Sequence, residues 1–113
     1  MKVSKDEILF IYDSRDIDQR ERLLYLKSLK QVVTRELDIQ RNDLNQLMLA
    51  DLAKKLNVSE KDLVRQDLEF TIGDLMDLNK DDFLDYLSSN ITKLKTPIAV
   101  YHDHAKFLSQ DAT

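Results

Sequence analysis

The spacing of hydrophobic and polar positions changes repeatedly along this chain, and each change predicts an element. Glu7–Tyr12 (EILFIY) is a continuous apolar run ended by Asp13-Ser14, the pattern of a central strand covered on both faces. From Asp18 the spacing becomes helical, with Leu23, Leu26 and Leu29 or Lys30 on one stripe and Arg20, Glu21 and Lys27 off it. Asp18 followed by Glu21 reads as a capping box, with Ser14 and Asp16 as alternative caps. Gln31–Leu37 (QVVTREL) is short and β-branched, the second strand of a βαβ unit with a right-handed crossover. Asp43–Asn57 predicts a second helix, apolar at Leu44, Leu47, Met48, Leu52 and Leu56.

The middle of the chain repeats one helix-start signal. VSEKDL (Val58–Leu63), FTIGDL (Phe70–Leu75) and LNKDDF (Leu78–Phe83) each set a capping residue, Ser59, Thr71 or Asn79, between an apolar residue and a later Asp. Such caps accept first-turn N–H groups, and Asp62, Asp74 and Asp82 stand where the helix dipole favours anions. The apolar pairs Val58/Leu63, Phe70/Leu75 and Leu78/Phe83 read as hydrophobic staples. The spacing is too irregular for a true repeat. Pro97 then precedes a strand (IAVY), where a missing N–H is tolerated, and HDHA turns into a last strand, Lys106–Leu108. The order β-α-β, helices, β-β predicts an α/β fold with a small mixed sheet.

Composition narrows the function classes. The 113 residues are 42% hydrophobic and 34% charged, with one Gly and one Pro, as expected for a single globular domain over residues 1–113. No apolar run reaches the ~18 residues of a membrane span, and no signal-peptide core follows Met1, so a cytoplasmic location and no membrane contact are expected. The absence of cysteine excludes disulfides, thiolate catalysis and thiolate metal sites. A net charge of −4 argues against a nucleic-acid partner.

LAKKLNVSEKDLVRQD, followed at a distance by NKDDFLDYLSSNITKLKTPIAVY, resembles the arsenate reductase and Spx family of the thioredoxin fold. The resemblance covers roughly Glu7 to Leu108 and implies a four-stranded sheet flanked by helices. It also implies a cis peptide at Thr96–Pro97, facing the loop at the start of the first helix. In that family a nucleophilic cysteine follows the first strand, where the positive end of a helix lowers a thiol pKa. That position falls here on Ile17, or on Asp16 if the loop is one residue shorter. The family's middle arginine, an oxyanion ligand, matches Arg65 in DLVRQD. The arginine before the sheet proline is replaced by Thr96 in KTPI, and the late arginine falls near Ser109. Nothing replaces the thiol, so Asp16, Ile17, Arg65, Thr96 and Pro97 are expected to be vestiges of a lost active site.

Arg65, Arg15 and Arg20 are the candidates for binding an anion. Arg65 equally reads as a solvated arginine at a helix C-terminus. Arg15, Arg20 and Arg22 are interleaved with Asp13, Asp16, Asp18 and Glu21, which cancel the local charge. Ser14 either imitates a glutathione-directed hydroxyl or serves the turn. His102 and His104 alternate on a hairpin, and Asp81, Asp82 and Asp85 cluster at a helix start. Neither pattern specifies a metal site, and neither a catalytic triad nor a glycine-rich phosphate loop occurs. No cofactor or metal is expected. The reading that follows is a non-catalytic module whose partner is another protein, as Spx acts by contacting RNA polymerase. The alternative is an oxyanion or glutathione binder, or a non-thiol enzyme, using the old cleft.

Overall fold

The computed structural model describes residues 1–65 and 76–108. Strand β1 (Glu7–Tyr12) is inaccessible from Ile8 onward, as its unbroken apolar run requires. It runs parallel to β2 (Val33–Asp38), with Glu7 opposite Val33 and Tyr12 opposite Asp38. On its other side β3 (Ile98–Val100) is antiparallel, and β3 pairs in turn with β4 (Ala105–Phe107). The sheet order is therefore β2-β1-β3-β4. The Thr96–Pro97 peptide is cis.

Alternation along β1 divides the molecule into two layers. Phe10 and Tyr12 face helix α1 (Ile17–Ser28), which contributes Leu23 and the half-buried Leu26. Leu9 and Ile11 face the larger core, where helices α2 (Gln46–Leu56) and α3 (Lys80–Ser89) bring in Leu49, Leu52, Phe83 and Leu87. Ala99 stands directly opposite Phe10, a small residue beside a large ring.

Several boundaries differ from the sequence pattern for local reasons. Helix α1 is capped by Asp16, whose side chain accepts from the N–H groups of Asp18 and Gln19, so Asp18 lies inside the helix. The helix ends at Ser28 and leaves Leu29, the last member of the expected stripe, 37% exposed. Strand β2 begins at Val33 rather than Gln31, and β4 is centred on Lys106 rather than Phe107. Helix α2 starts after Asn45, whose side chain accepts from Met48 N–H, and Leu47 turns to solvent. It ends at Asn57 in the left-handed region (φ 59°, ψ 45°), a conformation Asn tolerates better than most residues.

The two capped starts within the described residues form differently. Asn79 caps α3, accepting from Asp82 N–H. Ser59 and Asp62 complete a reciprocal capping box, but only a 3-10 turn, Glu60–Leu63, follows. The chain is then extended at Val64, which bridges to Leu94. Val58, Leu63, Leu78 and Phe83 all pack into the larger core, as staples would. The start expected at Phe70–Leu75 lies outside the described residues.

Candidate functional site

The loop between β1 and α1 is closed by its own side chains. Asp13 is nearly inaccessible, and its N–H donates to Gln19 Oε1 at 2.8 Å. Gln19 is buried on the inward face of α1 one turn before Leu23, and its amide donates to Asp16 Oδ2 at 3.3 Å. Asp16 Oδ1 in turn accepts from Asp18 N–H at 2.9 Å and from Gln19 N–H at 3.3 Å. Those first-turn N–H groups are the ones a helix offers to an anion. Here the chain's own carboxylate occupies them.

The second strand secures the other side of the loop. Asp13 Oδ1 accepts from Gln40 Nε2 at 3.0 Å and from Arg15 N–H at 2.9 Å, while the Arg15 guanidinium lies 3.4 Å from the same carboxylate. Asp38, at the end of β2, accepts from Ser14 N–H at 3.1 Å and from Gln40 N–H at 3.0 Å. Burial alone would raise the pKa of Asp38. Hydrogen bonds from Ser14 and Gln40 and the charge of Arg41 outweigh it and hold the carboxyl below its ordinary value. Tyr12 is pushed upward by burial and then by the negative charges of Glu36 and Asp38.

The expected site residues divide into two neighbourhoods. Ile17 is the first residue of α1 and is 61% exposed. Arg15 pairs with Asp13, whereas the Arg20 side chain makes no hydrogen bond or ion pair among the described residues. Pro97 is buried one residue before the Ile98–Ile11 pair, so the register sets it beside Tyr12 and the entry to the loop. Arg65 follows the 3-10 turn Glu60–Leu63 and is bonded to the segment, from Ile91, that leads into β3. Its N–H donates to Lys93 O at 2.9 Å, and Nη1 donates to Thr92 O at 3.3 Å. Thr96, half-buried, follows on that segment, and Ser109 lies outside the described residues.

The remaining candidates are held locally. His102 Nδ1 is 2.9 Å from the Val3 carbonyl; a carbonyl only accepts, so this nitrogen carries the proton. His104 stacks on Tyr101 at 4.6 Å and lies 2.7 Å from Asp103, so the two imidazoles have separate partners. Asp82 exchanges hydrogen bonds with Asn79, and Asp85 accepts from Gln46. Sequence reasoning passed over Gln19, Asp38 and Gln40. Only Gln19 carried a signal, as a polar residue in line with Leu23 and Leu26 on the buried face of α1.

A thiol placed at position 17 reports on this electrostatic setting. In Ile17→Cys the helix end lowers the thiol pKa from about 8.5, while the Asp16 and Asp18 carboxylates raise it. A value only modestly below an unstructured thiol is expected. Adding Asp16→Asn and Asp18→Asn should lower it further, since Asn caps as well as Asp but without the charge. The pH dependence of iodoacetamide alkylation measures both. Reactivity in the triple variant equal to that of an unstructured thiol would show that residue 17 is not at the helix tip.

No family profile matches the sequence, and neither does any curated protein. Solved structures do. An arsenate reductase from Vibrio cholerae superposes with a TM-score of 0.76 at 15% identity, over 92% of this chain and 91% of that one. A Yersinia pestis protein gives 0.77 at 19% identity, over 88% and 90% of the two chains. A Staphylococcus aureus protein solved by NMR gives 0.70 at 20% identity, over 92% of each. No described helix is long and apolar enough to cross a membrane. At these identities the agreement speaks for architecture: this chain has the thioredoxin-like α/β fold of the arsenate reductases, and it carries no cysteine.

Proposed function

We propose that this protein is a non-catalytic, protein-binding or regulatory module built on the arsenate-reductase-like fold. One observation carries the reading. The place that would activate a thiol holds Ile17, 61% exposed, and the adjacent first-turn N–H groups donate to the Asp16 carboxylate. A pocket for a small anion needs free donors and enclosure, and a thiol reductase needs a thiolate. An outward Ile17, with Leu24 exposed on the same side of the helix, beside a satisfied loop suits a contact with another protein.

Thermal unfolding with added arsenate, phosphate, sulfate or glutathione tests this. A ligand at a hundredfold excess over its dissociation constant stabilises the folded state by about 2.7 kcal/mol. No shift in melting temperature is expected with any of the four at saturating concentration. A shift of several degrees that disappears in Arg65→Ala, or in Arg15→Ala with Arg20→Ala, would replace the reading with small-ligand binding in the old cleft.

A further inference from the structure

Tyr12 and Arg20 together line two adjoining hollows beside the loop. The first, of ≈ 360 Å³, is largely apolar, with Ile17, Leu23 and Leu24 in its wall. The second, of ≈ 420 Å³, lies where the parallel strands β1 and β2 end and is lined by Ser14, Asp38 and Arg41 among others. Crevices at the carboxyl ends of parallel strands are favoured places for ligands in α/β folds. The charges around these hollows are unequally satisfied. Lys27 pairs with Glu36, and Asp38 is held by the Ser14 and Gln40 N–H groups with Arg41 Nε at 3.8 Å. Arg20, which lines both hollows, and Glu21, which lines only the apolar one, are exposed and have no side-chain partner among the described residues.

The outward face of α1 extends this surface. Ile17 and Leu24, 61% and 67% exposed, are seven residues apart and share one side of the helix. Arg20 flanks that stripe on one side and Glu21 on the other. An exposed apolar residue standing alone needs no explanation, whereas a contiguous stripe rimmed by charge marks an interaction surface. Glu21 does not reach the polar hollow, whose own carboxylates, Glu36 and Asp38, already have partners, so Arg20 is the charge left there for a partner group to meet.

We propose that this double hollow docks a segment of a partner protein in which an Asp or Glu stands beside a large apolar side chain. The apolar side chain enters between Ile17, Leu23 and Leu24, and the carboxylate meets Arg20. The inference rests on the protein-binding reading above and supplies the chemistry of the partner.

A random octapeptide display library panned on the purified protein tests it. Enriched sequences are expected to place Asp or Glu within two residues of Leu, Ile or Phe. For the strongest synthetic peptide, measured by fluorescence anisotropy, Arg20→Glu and Leu24→Ser should each weaken binding about tenfold, equivalent to about 1.4 kcal/mol. Lys5→Glu, at the opposite end of β1, should leave it unchanged. A peptide with Lys in place of its acidic residue should recover affinity on Arg20→Glu, which a general loss of structure would not produce. All three positions are exposed, so melting temperatures report that the variants fold. No enrichment, enrichment without acidic residues, or affinities indifferent to Arg20→Glu would overturn the proposal. Peptides that bind but ignore both Arg20 and Leu24 would leave protein binding standing at another surface, whereas a glutathione or oxyanion shift would remove the broader reading.

Discussion

Phe83→Ala is expected to lower the free energy of unfolding by about 3–5 kcal/mol, the range for deleting a fully buried aromatic ring. Phe83 is 0% exposed and lies on the inward face of α3 with Leu84 and Leu87, in one cluster with Leu49, Leu52 and Leu63. Lys61 Nζ stands 5.9 Å from the ring centroid, and the same ammonium donates to the carbonyls of Met76 and Leu78. Truncation therefore opens a cavity and also removes the surface that positions a charged group. Domains of this size are stable by about 5–15 kcal/mol, so the loss is a large fraction of the total. Urea unfolding measures the loss; a change under about 1 kcal/mol would mean that α3 is not docked as described. The candidate docking surface lies on the opposite layer, so peptide affinity well below the melting temperature should persist.

The second large effect is expected at Asp38. Its carboxylate accepts two backbone N–H groups, from Ser14 and Gln40, at a site only 6% exposed. Asp38→Ala strands those donors and should cost about 2–3 kcal/mol. Asp38→Asn keeps an acceptor and should cost less, but it separates the charge from the shape. Because the folded-state pKa of Asp38 lies below the ordinary value, its charge contributes fully above about pH 4 and progressively less as pH falls through that lower value. The stability gap between the wild type and Asp38→Asn should be flat from about pH 7 to 5 and should shrink at more acidic pH. A gap that does not change with pH would show that the carboxylate is not held charged by these donors.

How much of this was visible in the residues depended on the distance over which each interaction acts. Strand β1 was legible because burial on both faces leaves one signature, an unbroken apolar run. The caps at Asn79 and Ser59 were legible because a cap bonds within three residues. The start of α1 was ambiguous, since Ser14, Asp16 and Asp18 all satisfy the same local rule. The turn after Ser59 carried a complete helix-start signal, yet only a 3-10 turn forms there, because the Val64–Leu94 bridge takes the chain into extended geometry. The loop network was mostly illegible. Asp13 with Gln40 and Ser14 with Asp38 join positions 27 and 24 residues apart, and local periodicity says nothing about such pairs. Arg65 was found as a position, but its engagement with the Thr92 and Lys93 carbonyls depends on how two distant segments run together.

The β2 edge of the sheet has a consequence for symmetry. Strand β2 is terminal, and at its centre stand Arg35, 3.7 Å from Glu7, and Glu36, paired with Lys27. Two copies joined edge to edge about a two-fold axis normal to the sheet must place equivalent residues opposite one another at that axis. A register centred on residue 35 opposes two guanidinium groups, and one centred on residue 36 opposes two carboxylates. Like charges in directly opposed cross-strand positions are destabilising. Neighbouring charges of opposite sign, harmless within one molecule, thus oppose the two central registers for a continuous eight-stranded sheet. A partner strand with its own sequence carries no such restriction, because the chains need not repeat each other's charges.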